Sequence, residues 1–130
     1  MKIGTVIKAR THAEFLNEAF GTDYKAWMKS VWNYDENSFV WMVRFNEIRD
    51  GWRNTFISND CIMEENMDNK TIWGGVDVAE EPTLNKRRIV IEIIDGYYER
   101  KYIFRGVFEY DRERSNPYAV RYHNRVSDEF

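Results

Sequence analysis

The chain has 130 residues, a formal charge of −3 and 16% aromatic side chains, five of them tryptophan. That length closes one hydrophobic core and leaves no room for a second catalytic domain. No run approaches the roughly 18 apolar residues of a membrane span, the N-terminus has no signal-peptide core, and Cys61 is the single cysteine, so the expectation is a cytoplasmic protein with no membrane partner and no disulfide.

The charge is uneven. Residues 1–46 carry a net +1, residues 47–81 a net −6 and residues 82–130 a net +2. The acid is local, which leaves the C-terminal half free to present a basic face to nucleic acid. With only His12 and His123 beside Cys61, no metal-ligand spacing exists, and no metal or other cofactor is expected.

Taken in order, Lys2–Ala9 reads as a short strand. Thr11 sits three residues before Glu14, the capping-box spacing, and Ala13, Leu16 and Phe20 follow at helical intervals before Gly21. Tyr24, Trp27, Met28, Val31 and Trp32 repeat at i, i+3, i+4, i+7 and i+8, which predicts a second helix. Phe39–Phe45 reads as a buried strand. Residues 46–81 lack a clean period and carry Trp52 and Trp73 beside Gly51 and Gly74-Gly75, the composition of functional loops. Pro82 closes that region, and the basic triplet Lys86-Arg87-Arg88 follows.

From Arg88 to Tyr110 two apolar runs meet at Asp95-Gly96, a dipeptide suited to a tight hairpin. The first run, Ile89 to Ile94, is almost continuously β-branched, as in a strand covered on both faces. The second alternates, placing Tyr102, Phe104, Phe108 and Tyr110 on one face with Gly106 among them. A glycine there marks a bulge or the close approach of another backbone. Ala119–Val126 reads as the final strand.

Gly51-Trp52-Arg53-Asn54, then Ile62-Met63-Glu64-Glu65, then Tyr102-Ile103-Phe104-Arg105-Gly106-Val107-Phe108, with Asp111 and Arg125-Val126, resemble the SRA-like domain of restriction endonucleases that cut hydroxymethylcytosine-containing DNA. The resemblance covers roughly residues 40–130. It implies a single α+β, PUA-like domain over residues 1–130, a curved sheet or partial barrel with one or two N-terminal helices. It also implies a pocket for a flipped modified cytosine, with Trp52 as its aromatic, Asn54 as a polar group and Glu65 as the acid, Glu64 being the adjacent choice if the register slips. The family's enzymes carry a separate nuclease domain that these residues do not include, so the implied partners are modified DNA and a separate nuclease subunit or other protein.

The chemistry of such a pocket follows from the residue types. An aromatic platform returns about 1–3 kcal/mol by stacking on an extruded base, against a few kcal/mol of unstacking. Asn54 offers a donor and an acceptor, and a carboxylate accepts from the exocyclic amine of cytosine, so Asn54 with Glu65 would read a Watson–Crick edge. Lys86, Arg87 and Arg88 are the candidate phosphate contacts. The plain reading of the same residues is a surface Trp52, a turn at Asn54 and a solvated helical Glu65.

Catalytic motifs are weak. Glu99-Arg100-Lys101 has the Glu-x-Lys form of metal-dependent nucleases, with Asp77 or Asp95 as partner, but it falls at the outer end of the hairpin, where a solvated turn is expected. No serine or cysteine motif stands with the histidines. Two other functions fit the composition: an inhibitor in mobile-element and host conflict whose acidic 47–81 segment engages a basic partner, and an RNA- or nucleotide-binding PUA-like module.

Overall fold

The computed structural model describes residues 1–68, 72–73 and 76–130; for Ile72, Trp73, Val76, Asp77 and Glu80 it describes the backbone alone. The strands are β1 (Val6–Ala9), β2 (Val31–Asn33), β3 (Ser38–Val43), β4 (Ile48–Arg49), β5 (Trp52–Ser58), β6 (Cys61–Asn66), β7 (Ile72–Trp73), β8 (Val76–Asp77), β9 (Arg87–Ile94), β10 (Arg100–Tyr110) and β11 (Val120–Ser127). Helix α1 (His12–Phe20) follows β1, and 3-10 turns occupy Val78–Glu80 and Pro82–Asn85. Gly74, Gly75 and the side chains of Trp73 and Asp77, singled out in the sequence, lie outside the described residues. Among the described residues no helix is long and apolar enough to cross a membrane.

Helix α1 begins and ends where its sequence dictates. The Thr11 hydroxyl accepts from the Glu14 N–H at 3.1 Å. Gly21 takes the left-handed conformation at φ 70°, and its N–H bonds Asn17 O. Phe15 and Leu16 then bury against Ile89, Ile91, Tyr102 and Phe104 on one face of the sheet.

The second helix does not form. The Asn17 side chain accepts from the Tyr24 N–H and donates to the Tyr24 carbonyl, both at 2.9 Å, so the carbonyl that would accept the first bond of a helix begun there is already taken. Met28 is 92% exposed, so the apolar stripe is not one buried face. Trp32 instead lies on β2, and its indole N–H donates to the Tyr24 hydroxyl at 2.9 Å. Local side-chain bonding has overridden a helical period.

Residues 46–81 are also not simply loops. They supply the antiparallel pair β5–β6, which extends the sheet to the order β2-β3-β9-β10-β11-β6-β5-β4, with β1 pairing onto β10. β9 and β10 sit in the middle, as the sequence predicts, and Ile91 and Phe104 are fully buried. Their connection is not a two-residue turn. It spans residues 95–99, and the Asp95 carboxylate accepts from Arg44 Nε at 2.8 Å.

Gly106 splits the aromatic face of β10. Phe104 pairs with Ile91 and Gly106 with Val90, so Arg105 is the extra residue of a bulge. The slip sends Phe104 and Val107 to the helix side and Phe108 to the opposite side. At φ 116° and with Ser127 O only 3.0 Å from a would-be Cβ, the position demands glycine.

The sheet must curl. β3 and β4 lie six strand spacings apart along its order, a flat distance of about 29 Å. The four residues linking Val43 to Ile48 reach at most about 18 Å. Closure is visible across the concave face, where the Trp41 ring on β3 lies 5.8 Å from the His123 ring on β11. Phe39, Trp41, Val43, Ile62, Val90 and Phe108 fill that interior.

Candidate functional site

The incomplete seam between the two ends of the curled sheet opens into a cleft of about 950 Å³, near the upper end of the size of ligand pockets. Its walls come from β2, β3, β4 and β5, and its floor from β6 and β11. Trp27, Trp32, Trp41 and Trp52 all line it, with Asn54, Glu64 and Arg121.

Pairing in the sheet explains which polar groups face in. Asn54 stands opposite Glu64, Trp52 opposite Asn66 and Arg121 opposite Glu64, and opposed residues in antiparallel strands share a face. Trp52, Asn54 and Glu64 are therefore brought together, as the resemblance implied for the first two. Glu65 is not among them. It projects to the other face, where its carboxylate accepts from Arg53 Nη2 at 3.0 Å. The one-residue offset between Glu64 and Glu65 exchanges the faces of the sheet.

Asn54 Oδ1 is buried and has no hydrogen-bond partner among the described residues. Glu64 is set among two guanidinium groups and an imidazole. His123 Nε2 lies 3.1 Å from Glu64 Oε1, Arg121 Nη1 3.7 Å and Arg88 Nη1 4.0 Å from the same oxygen. Burial would raise the Glu64 pKa, but the His123 hydrogen bond and the charges of Arg88 and Arg121 outweigh it and hold the carboxyl at about 2. Burial, then the charge of Arg88, pushes His123 down to about 4. At neutral pH the pair is thus a carboxylate and a neutral imidazole. Because a carboxylate only accepts, Nε2 carries the hydrogen and Nδ1 is left without a partner among the described residues.

Arg121 joins the aromatic wall to the floor. Its guanidinium stacks 4.5 Å from the Trp52 ring. It donates to Glu81 Oε2 at 2.8 Å, to Val78 O at 2.8 Å and to Pro117 O at 3.0 Å, so it is fixed on every side. The cation covers one face of the Trp52 ring.

The basic triplet divides. Arg87 is exposed and its guanidinium pairs with Glu109 at 2.8 Å. Lys86, half-buried, lines a shallow basin with Arg87 and Arg112. Arg88 departs from the phosphate role expected for it: its side chain is 4% exposed and lies over the rings of Trp41 at 4.6 Å and Phe39 at 5.0 Å, behind the wall of the cleft. Strand alternation explains the division, since neighbours at the start of β9 face opposite sides. Two exposed cations the sequence reading did not single out, Lys29 and Arg49, stand in the cleft.

The Glu-x-Lys triplet meets no metal-binding partner in Asp95, whose carboxylate is engaged by Arg44 and, at 3.4 Å, by Arg100. Trp41 and Arg121, which line the cleft, and His123 behind Glu64 are not singled out by the sequence motifs. Their signal was available: Arg121 and His123 are polar residues at i and i+2 of a strand, and Trp41 lies between Phe39 and Val43 in the same alternation.

A curled sheet with one helix, open at a seam lined by tryptophans over a charged floor, defines the class as SRA-like with a PUA-like fold. The chain belongs to the SRA family, the SET and RING associated domain, whose profile matches residues 3–130. Its structure is similar to that of the 5-hydroxymethylcytosine-specific restriction enzyme AbaSI, with a TM-score of 0.67 and 21% sequence identity over 96% of this chain and 39% of that one. The chain thus spans about two fifths of the length of that enzyme. No curated protein matches it significantly.

Proposed function

We propose that this domain binds DNA carrying a modified cytosine and receives that base, turned out of the helix, between the tryptophans of the cleft. The observation that carries the reading is the pairing of Asn54 with Glu64 beneath Trp52: a buried acceptor without a partner beside an ionised carboxylate. His123, Arg121 and Arg88 all make their closest approach to Glu64 Oε1, which leaves Oε2 to accept one hydrogen of the exocyclic amine of cytosine, while Asn54 Oδ1 accepts the other. Trp52, backed by Arg121, supplies a stacking platform. Glu64 takes the part first given to Glu65.

Membership in the SRA family and the structural likeness to a 5-hydroxymethylcytosine-specific enzyme support this reading. The domain acts either as a free-standing reader or as the recognition part for a nuclease, on the same chain or another. Phosphates are met by Lys29 and Arg49 at the cleft and by Lys86 and Arg87 beside it, whereas Arg88 is too deep to reach one. The inhibitor reading is less well supported, because much of the acid of residues 47–81 is spent internally: Glu47 on Arg49, Glu65 on Arg53, Asp60 on Arg125 and Glu81 on Arg121.

Extrusion itself is tested with 2-aminopurine placed next to the modified cytosine in a duplex. Its fluorescence should rise on binding as the neighbouring base leaves the stack. Unchanged fluorescence at saturating protein would show that the base stays in the helix.

A further inference from the structure

Arg88 and His123 do not line the cleft, yet both are directed at Glu64, which does. Arg88 is 3% exposed and His123 is fully buried. Evolution of a buried guanidinium is costly unless an anion compensates it, and the anion nearest Arg88 is Glu64, at 4.0 Å. The surroundings of Glu64 can be taken element by element. β11 presents Arg121 and His123, β9 presents Arg88, and β5 presents the uncharged Asn54. The 3-10 segment presents Glu81, which claims Arg121 at 2.8 Å. β10 presents Tyr110, whose ring lies 5.7 Å from His123, and β3 presents Trp41.

With His123 neutral, two carboxylates, Glu64 and Glu81, are balanced by two guanidinium groups. Arg121 is nearer to Glu81 than to Glu64, at 2.8 against 3.7 Å. Arg88 is therefore the guanidinium whose first counter-ion is Glu64, with Glu81 second.

We propose that Arg88 is a positioning residue: from behind the wall of the cleft, and together with the N–H of His123, it keeps Glu64 an ionised acceptor, so that the site accepts cytosine-type bases and rejects thymine-type ones. The inference rests on the base-reading function above. The chemistry is one of donors and acceptors. An ionised Glu64 accepts from the exocyclic amine of cytosine and repels the carbonyl oxygen that thymine and 5-hydroxymethyluracil carry in its place. A protonated Glu64 would donate from one oxygen, and the preference would weaken or reverse. Removing Arg88 leaves Glu64 and Glu81 to share Arg121, so Glu64 should take up a proton at higher pH.

The test compares duplexes carrying 5-hydroxymethylcytosine or 5-hydroxymethyluracil, bound by the parent, Arg88→Met and Arg88→Lys, between pH 8 and pH 5. The parent should hold a constant preference for the cytosine form, Arg88→Lys should retain most of it, and Arg88→Met should lose at least about tenfold of it as the pH falls. In the DNA-free proteins, the Glu64 side-chain carboxyl carbon followed by NMR should titrate at higher pH in Arg88→Met than in the parent. If Arg88→Met does not fold, Arg88→Met/Glu64→Gln should fold again, since the uncompensated buried charge has gone with its partner; failure of that double variant contradicts the pairing. A parent that prefers cytosine alongside a folded Arg88→Met with the same flat profile, or with an unmoved Glu64 titration, overturns this inference alone. A parent with no preference at any pH overturns the base-reading function and this inference with it.

Discussion

His123 Nε2 donates to Glu64 Oε1 across 3.1 Å, joining a fully buried imidazole on β11 to the carboxylate in the floor of the cleft. At neutral pH it joins a neutral imidazole to an ionised carboxylate. It ties the integrity of the site to pH. His123 is held at about 4, below its ordinary 6.5, and Glu64 at about 2, below its ordinary 4.5. In both cases the unfolded chain binds protons more readily than the folded one, so stability is full above pH 6.5 and falls on acidification.

The loss should come first from His123, between pH 6.5 and pH 4, and continue below pH 4.5 through Glu64. By pH 4.5 the His123 contribution amounts to about 2 kcal/mol. His12, held at about 4 by burial and then by Arg100 and Arg44, acts in the same direction. Urea melts at pH 7.5 and pH 4.5 should show this fall in the parent and a smaller one in His123→Asn. Equal falls in the two proteins would remove His123 from the account.

Phe104 is fully buried in the middle strand against the helix. Phe104→Ala should cost about 3–5 kcal/mol, enough to unfold a domain of ordinary stability. Gly106→Ala, strained at φ 116° and crowded by Arg125 and Ser127, should cost about 1–3 kcal/mol. Thermal melts measure both, and a melt of Phe104→Ala close to the parent's would contradict the placement of β10 in the core.

Much of this architecture is legible in the sequence because local rules act without competition. Thr11, Glu14 and Gly21 bound their helix through their own backbone geometry, and the β-branched run of Ile89 to Ile94 has no other good use than a doubly covered strand. The false helix at Tyr24–Trp32 shows the limit: its period is real, but the Asn17 side chain takes the backbone of Tyr24 first. The cleft was legible in part. The motif points to Trp52 and Asn54, which line it, but that Glu64 and not Glu65 faces them follows only from the β5–β6 register, and the register needs the knowledge that these residues form a hairpin at all. Arg88 was misassigned because a basic triplet looks alike whether it is a loop or, as here, the first turn-in of a strand.

Cleavage is the next expectation. Among the described residues no group of three or more His, Cys, Asp or Glu could hold a metal ion, and Asp95 beside the Glu-x-Lys triplet is bound to Arg44 and Arg100. Purified protein with Mg²⁺ or Mn²⁺ should leave both modified and unmodified DNA intact. Cutting that disappears in Lys101→Ala would move catalysis onto this domain.

Phosphate contacts should be separable from base reading by salt. Lys29→Ala and Lys86→Ala should weaken all duplexes equally, and each should reduce the slope of log affinity against log salt by about 1. Titrations at three salt concentrations would measure it. A variant that changes the preference between modified and unmodified DNA, with its slope unaltered, would place that lysine on the base instead.

The most direct measurement compares binding of matched duplexes containing cytosine, 5-methylcytosine or 5-hydroxymethylcytosine by the parent, Trp52→Ala, Glu64→Gln and Glu65→Gln. The parent should prefer a modified duplex. Trp52→Ala should lose about 1–3 kcal/mol of that binding through stacking, and Glu64→Gln a similar amount by turning a donor toward the amine, while Glu65→Gln, on the far face, should bind as the parent does. A parent indifferent among the three duplexes, or a preference that survives in Trp52→Ala and Glu64→Gln but fails in Glu65→Gln, would contradict the assignment of the cleft.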